Sequence, residues 1–326
     1  MAKKAKKKKA KKKEAPPSRL ELLRNGLASR VFSPVFLFLA GIMLLSTSVV
    51  PYASRFLPDL EQRPEYLLPT TNIEMNEPPH WVPRDLVEQV IEHTNLPSEV
   101  SVLDADVTRE IAEAFALHPW VKGDVVVKKS VPARIVVEMT YRRPVAMVEV
   151  KHGVLPIDED GILLPANDFA VADTKFYPLI QDITSTPQGS TGTQWGDIRV
   201  ETAAKLATYM MQEAAKATET EPSLTYWQQF GFEAIRIGTR KTRNIKPEDI
   251  HFELATQGGS LIVWGRSPEV GPPLELDADK KLGKLADYLN RFGSFDDVHG
   301  PYRINISHWL QTTRKRLSAA PIRVLR

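Results

Sequence analysis

The chain has 326 residues, a formal net charge of +3 and no cysteine. The absence of cysteine excludes disulfide bonds, thiolate metal sites and cysteine nucleophiles. The length predicts two globular domains, and 25 prolines favour extended connections and edge strands over a helical bundle.

The first 30 residues are strongly basic. They contain nine lysines and three arginines against Glu14 and Glu21, a net charge of +10, so residues 31–326 sum to −7. The lysine block 1–13 predicts a disordered cytoplasmic tail that sets membrane topology and contacts anionic lipid headgroups. Nucleic-acid binding is the alternative. No aromatic residue lies among these lysines, so we expect no nucleic-acid partner.

Residues 31–54 have no charged side chain. A helix of this length would be about 36 Å long, enough to cross a hydrocarbon core of roughly 30 Å. Because positive charge beside a span stays in the cytoplasm, the segment predicts an uncleaved signal anchor with the N-terminus inside. The remaining domains would then lie outside the cytoplasmic membrane. A buried core helix is the alternative, disfavoured because 18 or more uncharged, apolar-rich residues are typical of a membrane span.

A linker at 55–67 precedes a segment whose hydrophobic pattern changes from helical to strand-like. The apolar residues of two helices fall on one face, and those of the following strands alternate with polar residues. This order predicts two helices on one face of a three-stranded sheet. The elements are a strand at 70–76, a helix opening at Pro83, a helix capped by Asp106, and strands at 121–129 and 133–141.

The order strand, helix, helix, strand, strand directly after one anchor resembles a POTRA domain, here 68–142. His118-Pro119-Trp120-Val121 resembles the helix-to-strand motif of a known family, and Arg142-Arg143-Pro144-Val145-Ala146 resembles its domain exit. Tyr141 stands where that family usually has Glu. Ile157-Asp158-Glu159-Asp160-Gly161 resembles the hairpin that follows. Together these motifs resemble the bacterial cell-division family FtsQ/DivIB, most specifically over 118–165.

The residues of these motifs also have structural roles. Pro119 should end the helix, because it cannot donate the next backbone hydrogen bond. Trp120 should lie wedged between helix and sheet. Pro144 should interrupt strand pairing and mark the domain edge.

The acidic segment 158–161 predicts a turn, with Gly161 at positive φ. A calcium loop is the alternative. It would place Pro156 and Asn167 at the first and twelfth loop positions, where carboxylates are required, so we expect no metal there.

Residues 143–312 predict a second domain, similar to the β-domain of the FtsQ family, and the whole chain is of the α+β class. The inserts 166–196 and 239–248 should be polar loops, and the basic tail 313–326 should be disordered. The expected elements are a hairpin at 145–157, a helix capped by Asp197, strands at 231–237, 249–255 and 260–265, a helix with Leu282, Leu285, Leu289 and Phe292 on one face, and a last strand at 302–307.

No familiar catalytic motif occurs in the sequence, and none of the seven histidines lies at the i, i+4 spacing of metal ligands. Asp296 and Asp297 are adjacent carboxylates that should point apart in a solvated turn. We therefore expect no enzyme activity and no cofactor. A membrane-tethered hydrolase or sensor stays the alternative. An outer-membrane transporter is disfavoured, because only one POTRA-like module occurs and no barrel of alternating strands follows.

The resemblance implies a single-span protein of the inner membrane that acts at the division septum. It implies FtsB- and FtsL-like partners and, through them, the septal cell-wall synthase. In the family a partner strand adds to the edge of the terminal strand, which aligns here with 302–307, although Asn305-Ile306-Ser307-His308 departs from the usual D-L-R-Y. A strand paired on both sides is the alternative. The expected partner-binding residues are Tyr302, Arg303, Ile304, Asn305, Ile306 and Trp309.

Overall fold

The structure is a computed structural model that describes residues 34–54, 60–214, 223–239, 245–270 and 275–317. The predicted cytoplasmic tail 1–30, linker residues 55–59, much of the insert 239–248 and tail residues 318–326 lie outside the described residues. The chain divides into two units, 1–60 and 61–326. The described residues form a mixed α+β protein with six α-helices.

The first unit contains helix α1, Pro34–Ser54. The helix begins at Pro34, where the missing N–H has no helical partner to lose. None of the helices in the described part of the chain combines the length and the apolar character that crossing a membrane requires. The membrane span expected at 31–54 therefore stays a prediction.

The second unit begins with two helices and a three-stranded sheet of order β2-β5-β4, in which β5 is antiparallel to β4 and parallel to β2. Apolar side chains of both helices and of the sheet form one buried cluster. A separate two-stranded sheet pairs β1 with β3. The bounds are β1 Leu67–Pro69, β2 Glu74–Met75, α2 Leu86–His93, β3 Glu99–Ser101, α3 Val107–Ala116, β4 Val121–Ser130 and β5 Arg134–Tyr141.

The order predicted for this region is confirmed, with differences in detail. The first helix begins at Leu86 rather than at Pro83, and Asp106 precedes α3 without a capping side-chain hydrogen bond. The expected strand 70–76 is wrong in extent, since Thr70–Asn72 is a 3-10 turn and only β2 pairs with the sheet. The β1–β3 pair was not predicted, because strands of three residues are too short to show alternation.

The rest of the second unit is an eight-stranded mixed sheet of order β13-β12-β11-β10-β9-β8-β6-β7. Three of its neighbouring pairs are parallel, namely β11–β12, β6–β8 and β8–β9. The strands are β6 Pro144–Val150, β7 Gly153–Asp158, β8 Leu179–Gln181, β9 Phe232–Thr239, β10 Ile250–Thr256, β11 Leu261–Gly265, β12 Tyr302–Asn305 and β13 Thr313–Arg316, and the helices are α4 Ile198–Met210, α5 Tyr226–Phe230 and α6 Ala278–Phe292.

Helices α4 and α6 pack against this sheet, because apolar side chains of its strands share one buried cluster with them. In β10, Ile250, Phe252 and Leu254 are buried in the same cluster as the helices. Asp197 caps α4 as predicted, with its Oδ1 accepting a 2.9 Å hydrogen bond from the backbone N–H of Arg199. The opposite face of the sheet is partly open.

Two expectations about single residues are wrong. Pro144 does not interrupt pairing; it opens β6 and pairs with Asp158 of β7, a position that proline tolerates at the start of a strand. Phe292 was placed on the buried stripe of α6, but its side chain is 45% exposed and Tyr288 is buried instead. Phe292 is the last residue of α6, and the guanidinium of Arg291 lies 5.3 Å from its ring centroid.

Candidate functional site

The predicted partner strand is β12, and it is not a free edge. It pairs in parallel with β11 and antiparallel with β13. The second pairing partner was missed because Thr313-Arg314-Lys315-Arg316 contains no apolar residue and was taken as part of a disordered tail. The edge of the sheet is therefore β13.

Three of the predicted contact residues are core residues. Ile304 and Ile306 are fully buried, and Tyr302 is 9% exposed. The Tyr302 hydroxyl donates a 2.9 Å hydrogen bond to Asp297 Oδ1, and the Arg314 guanidinium carbon lies 3.5 Å from the Tyr302 ring centroid. A partner could touch these side chains only by displacing the core, so their predicted role as contacts is corrected.

The other three predicted residues are accessible. Arg303 is exposed on the open face of the sheet, where it forms an ion pair with Glu253. The Asn305 side chain accepts hydrogen bonds of 3.0 Å from the N–H and 2.8 Å from the hydroxyl of Ser307. Trp309 is 62% exposed, and its neighbour Leu310 is 68% exposed, in the loop between β12 and β13.

The outer edge of β13 has a definite set of unpaired backbone groups. The N–H of Leu317 donates a 2.8 Å hydrogen bond to the carbonyl oxygen of Pro301. Because backbone direction alternates along an antiparallel strand, Thr313 and Lys315 also point toward β12. Arg314 and Arg316 then direct their N–H and C=O groups away from the sheet. No strand in the described part of the chain pairs with them.

A cleft of about 470 Å³ lies at the carboxyl ends of β11 and β12. Its walls include Asn305, the exposed indole of Trp309, His251 and Arg266. The cleft therefore combines hydrogen-bonding groups with one aromatic surface, the composition that protein–protein contacts favour.

Glu275 also lines this cleft and neutralises two cations there. Its Oε1 accepts hydrogen bonds of 2.7 Å from the backbone N–H of Arg266 and 2.6 Å from Lys281 Nζ, and its Oε2 lies 4.0 Å from the Arg266 guanidinium. Burial lowers the pKa of Lys281, and the bond to Glu275 opposes that shift. Gly265, at a φ of 91°, has no Cβ, and a Cβ there would collide with the Glu275 carboxylate. Sequence reasoning missed this group, because nothing in the pattern links 265 to 275 and 281.

The three motifs that resemble a known family meet at one place, between the two larger sheets. The backbone N–H of Arg142 donates a 2.8 Å hydrogen bond to the carbonyl oxygen of Trp120. The Arg142 guanidinium then forms a 2.8 Å ion pair with Asp158, whose side chain is 1% exposed. Asp158 Oδ1 in turn accepts 2.9 Å hydrogen bonds from the N–H groups of Asp160 and Ile162. The motifs thus form a single junction.

A second layer of charge covers this junction. Lys122 of β4 forms ion pairs with Glu159 and, at 2.8 Å, with Asp160, and Lys205 of α4 lies 3.0 Å from Asp160. The hydrogen bond from Lys122 is the main cause that holds the pKa of Asp160 below its usual value. Gly161 has a φ of 73°, so the predicted turn is confirmed.

No protein-family model matches the chain, and no curated protein shows a significant match to it. Among the described residues, no group of three or more histidine, aspartate or glutamate side chains is placed to hold a metal ion. The likeness to the FtsQ/DivIB family therefore depends on the motifs of the sequence itself.

Proposed function

We propose that the protein is a non-catalytic, single-span membrane protein of the cell-division machinery. It would link FtsB- and FtsL-like bitopic proteins outside the cytoplasmic membrane during septum formation and, through them, engage the septal synthase. The neutral segment 31–54 behind a flank of net charge +10 supports the membrane anchor and the orientation. The motifs at 118–121, 142–146 and 157–161 support the family.

The observation that supports partner binding best is the open edge of β13, together with an exposed indole in the loop before that strand. Arg314 and Arg316 offer unpaired N–H and C=O groups, to which an extended segment could add as a further strand. Trp309 and Leu310 are exposed apolar side chains of the loop that leads from β12 into β13. Backbone pairing would give affinity, and the cleft that Trp309 lines would give selectivity.

The charge of this edge suggests which partner it accepts. All residues of β13 other than Thr313 are basic, which discourages pairing with a second copy of the same strand. The same charges favour an extended segment with acidic side chains. A basic edge therefore combines protection from self-association with selection of a complementary strand.

The proposal is tested by following a fluorescent fusion of the full chain through the cell cycle and by measuring capture of FtsB- and FtsL-like proteins. We expect localisation to the septum and capture of at least one such protein. A fusion that stays uniformly distributed and captures neither protein would contradict the proposal. Turnover of cell-wall substrates by the purified chain would instead support the hydrolase alternative.

A further inference from the structure

A second cleft, of about 530 Å³, lies between the segment before α2 and the insert 166–196. It is far from β13 in the sequence and is not used by the proposed function. Its walls combine aromatic rings with carboxylates. The residues that matter for the argument are Trp81, Phe169, Phe176, Tyr177, Asp168 and Asp173.

The aromatic walls are held in place by the protein itself. The Trp81 indole Nε1 donates a 3.0 Å hydrogen bond to the carbonyl oxygen of Arg142. The His80 ring packs edge-on against Trp81 at a centroid distance of 4.9 Å. On the other side, the Phe169 ring lies 6.1 Å from that of Tyr177 in an edge-to-face arrangement. The cleft is therefore formed before any ligand arrives, which lowers the entropic cost of binding.

The carboxylates of the cleft have free acceptor atoms. Asp168 uses Oδ2 to accept a hydrogen bond from Trp120, which leaves Oδ1 available. Asp173 has no side-chain hydrogen bond or ion pair with any described residue. Lys175, two residues later, is not among the residues that line this cleft.

Among the described residues, the cleft is lined by two carboxylates and by no lysine or arginine side chain. Burial raises the pKa of the Tyr177 hydroxyl, and the nearby charge of Asp173 raises it further. The charge of Arg143 lowers this pKa, but its effect is smaller than that of Asp173. Since Asp168 and Asp173 both line the cleft, a cation placed there would be attracted by their negative charge. The π faces of the rings add to that attraction through their quadrupoles.

We propose that this cleft binds a primary ammonium group, the lysine side chain of a partner protein. The aromatic walls would contact the methylene stem and the cation, and the free oxygens of Asp168 and Asp173 would accept N–H donors. A quaternary ammonium group has no N–H to give these oxygens. An anionic ligand would meet unpaired carboxylates and be repelled. A primary ammonium satisfies both the rings and the acceptors.

The test uses the full chain in maltoside micelles, with the indole N–H resonance of Trp81 followed by NMR. Nα-acetyl-lysine methylamide is titrated against its neutral counterpart, Nα-acetyl-norleucine methylamide, at constant ionic strength. For each cation–π interaction that the ammonium makes, we expect the lysine compound to bind about twofold to fivefold more tightly than the neutral compound. Butylammonium is a further probe, which separates recognition of the ammonium from recognition of the flanking peptide groups.

Matched variants locate the binding. Asp173→Asn removes a charge from the cleft, and Asp124→Asn removes a charge from an exposed carboxylate of β4 outside it. Phe176→Ala removes a 61% exposed ring of the cleft, and Val171→Ala alters an 84% exposed side chain of the same insert outside it. All four side chains are exposed, so we expect unchanged melting curves. The two cleft variants should weaken binding of the lysine compound by about threefold or more, and the two controls should not.

Equal binding of the lysine and norleucine compounds would overturn the proposal, since the cleft would then be merely apolar. The same holds if Asp124→Asn weakens binding as much as Asp173→Asn, because the attraction would then be unspecific. Binding of a neutral oligosaccharide in place of the lysine compound would also overturn it. Tighter binding of the lysine compound that depends on Asp173 and Phe176 supports it, with or without binding of butylammonium.

Discussion

Trp120 and Asp168 lie 48 residues apart, yet the indole Nε1 of Trp120 donates a 2.7 Å hydrogen bond to Asp168 Oδ2. Trp120 is fully buried at the turn between α3 and β4, whereas Asp168 is an exposed residue of the insert 166–196. Phe169 follows Asp168 and packs its ring 5.9 Å from that of Trp120. The insert, expected from the sequence to be a polar loop, is therefore part of the junction between the two sheets.

The first prediction concerns this hydrogen bond. In a fragment of residues 56–326, Asp168→Ala should lower the free energy of unfolding by about 1–3 kcal/mol, because it leaves a buried indole N–H without an acceptor. Trp120→Ala should lower it by about 3–5 kcal/mol through the cavity it creates. Because the two residues are in contact, the double variant should lose less than the sum. Chemical denaturation measures all three.

Asn167→Ala is the control, since its exposed side chain has no hydrogen bond to the junction in the described residues. A Trp120→Ala fragment that melts within about a degree of wild type would mean that the ring is not packed in the core.

The second prediction compares a buried ion pair with an exposed one. Asp158 is 1% and Arg142 14% exposed, so Asp158→Ala leaves an unpaired charge and should cost about 3–5 kcal/mol. Arg109 and Glu113 are 57% and 65% exposed, so Glu113→Ala should change the free energy of unfolding by less than about 1 kcal/mol. Urea denaturation of the two variants measures the contrast. Similar losses in both variants would refute the structural role assigned to Asp158.

The third prediction is a pH dependence at Asp160. Its folded pKa is lowered, chiefly by the hydrogen bond from Lys122. The resulting stabilisation is present above the unfolded pKa of about 3.9 and is lost as the pH falls through the lower, folded value. Asp160→Asn should therefore be less stable than wild type at neutral pH, and the difference should shrink in acid. Thermal melts from pH 7 downward measure it.

Lys122→Met separates this effect from general acid unfolding. It removes the main cause of the shift, so the carboxyl resonance of Asp160 should titrate at a higher pH than in wild type. An unchanged titration would show that Lys122 does not interact with Asp160 in solution.

The sequence was most informative where elements are long and periodic. The apolar stripe of α3 and the alternation in β5 predicted those two elements and their buried faces. Three single-residue predictions were also correct, because each follows from local chemistry. Asp197 caps a helix, Trp120 is a buried ring at a turn, and Gly161 has a positive φ.

What the sequence did not predict depends on contacts between distant segments. No local pattern in the sequence indicates the hydrogen bond from Trp120 to Asp168. The same is true of the contacts among Gly265, Glu275 and Lys281. The strand β13 was missed for a related reason. It is basic and has no apolar side chain, and it is a strand because its backbone pairs with β12. That error moved the expected edge of the sheet by one strand.

The fourth prediction concerns membrane topology. Because the flank before residue 31 has a net charge of +10, the N-terminus should stay in the cytoplasm. A reporter that is active only outside the cytoplasm should be active when fused after Arg326 and inactive when fused before Met1. The opposite pattern would overturn the orientation. Replacing the lysines of 3–13 with glutamine should reduce the fraction of chains in the expected orientation.

The last prediction distinguishes the outer edge of β13 from the strand pairing inside the sheet. The N–H of Arg316 points away from β12, so Arg316→Pro deletes a group that only a partner strand could use. Capture of an FtsB-like segment should weaken by about tenfold or more, while the stability of the domain changes little.

Asn305→Pro instead deletes an N–H that faces β13, so it should release β13 and destabilise the domain. Arg316→Ala controls for the removed charge, because it keeps the N–H. If Arg316→Pro stays folded and still captures the segment at full affinity, strand addition at β13 is wrong. If capture is lost only in the Trp309→Ala variant, the contact lies in the cleft that Trp309 lines.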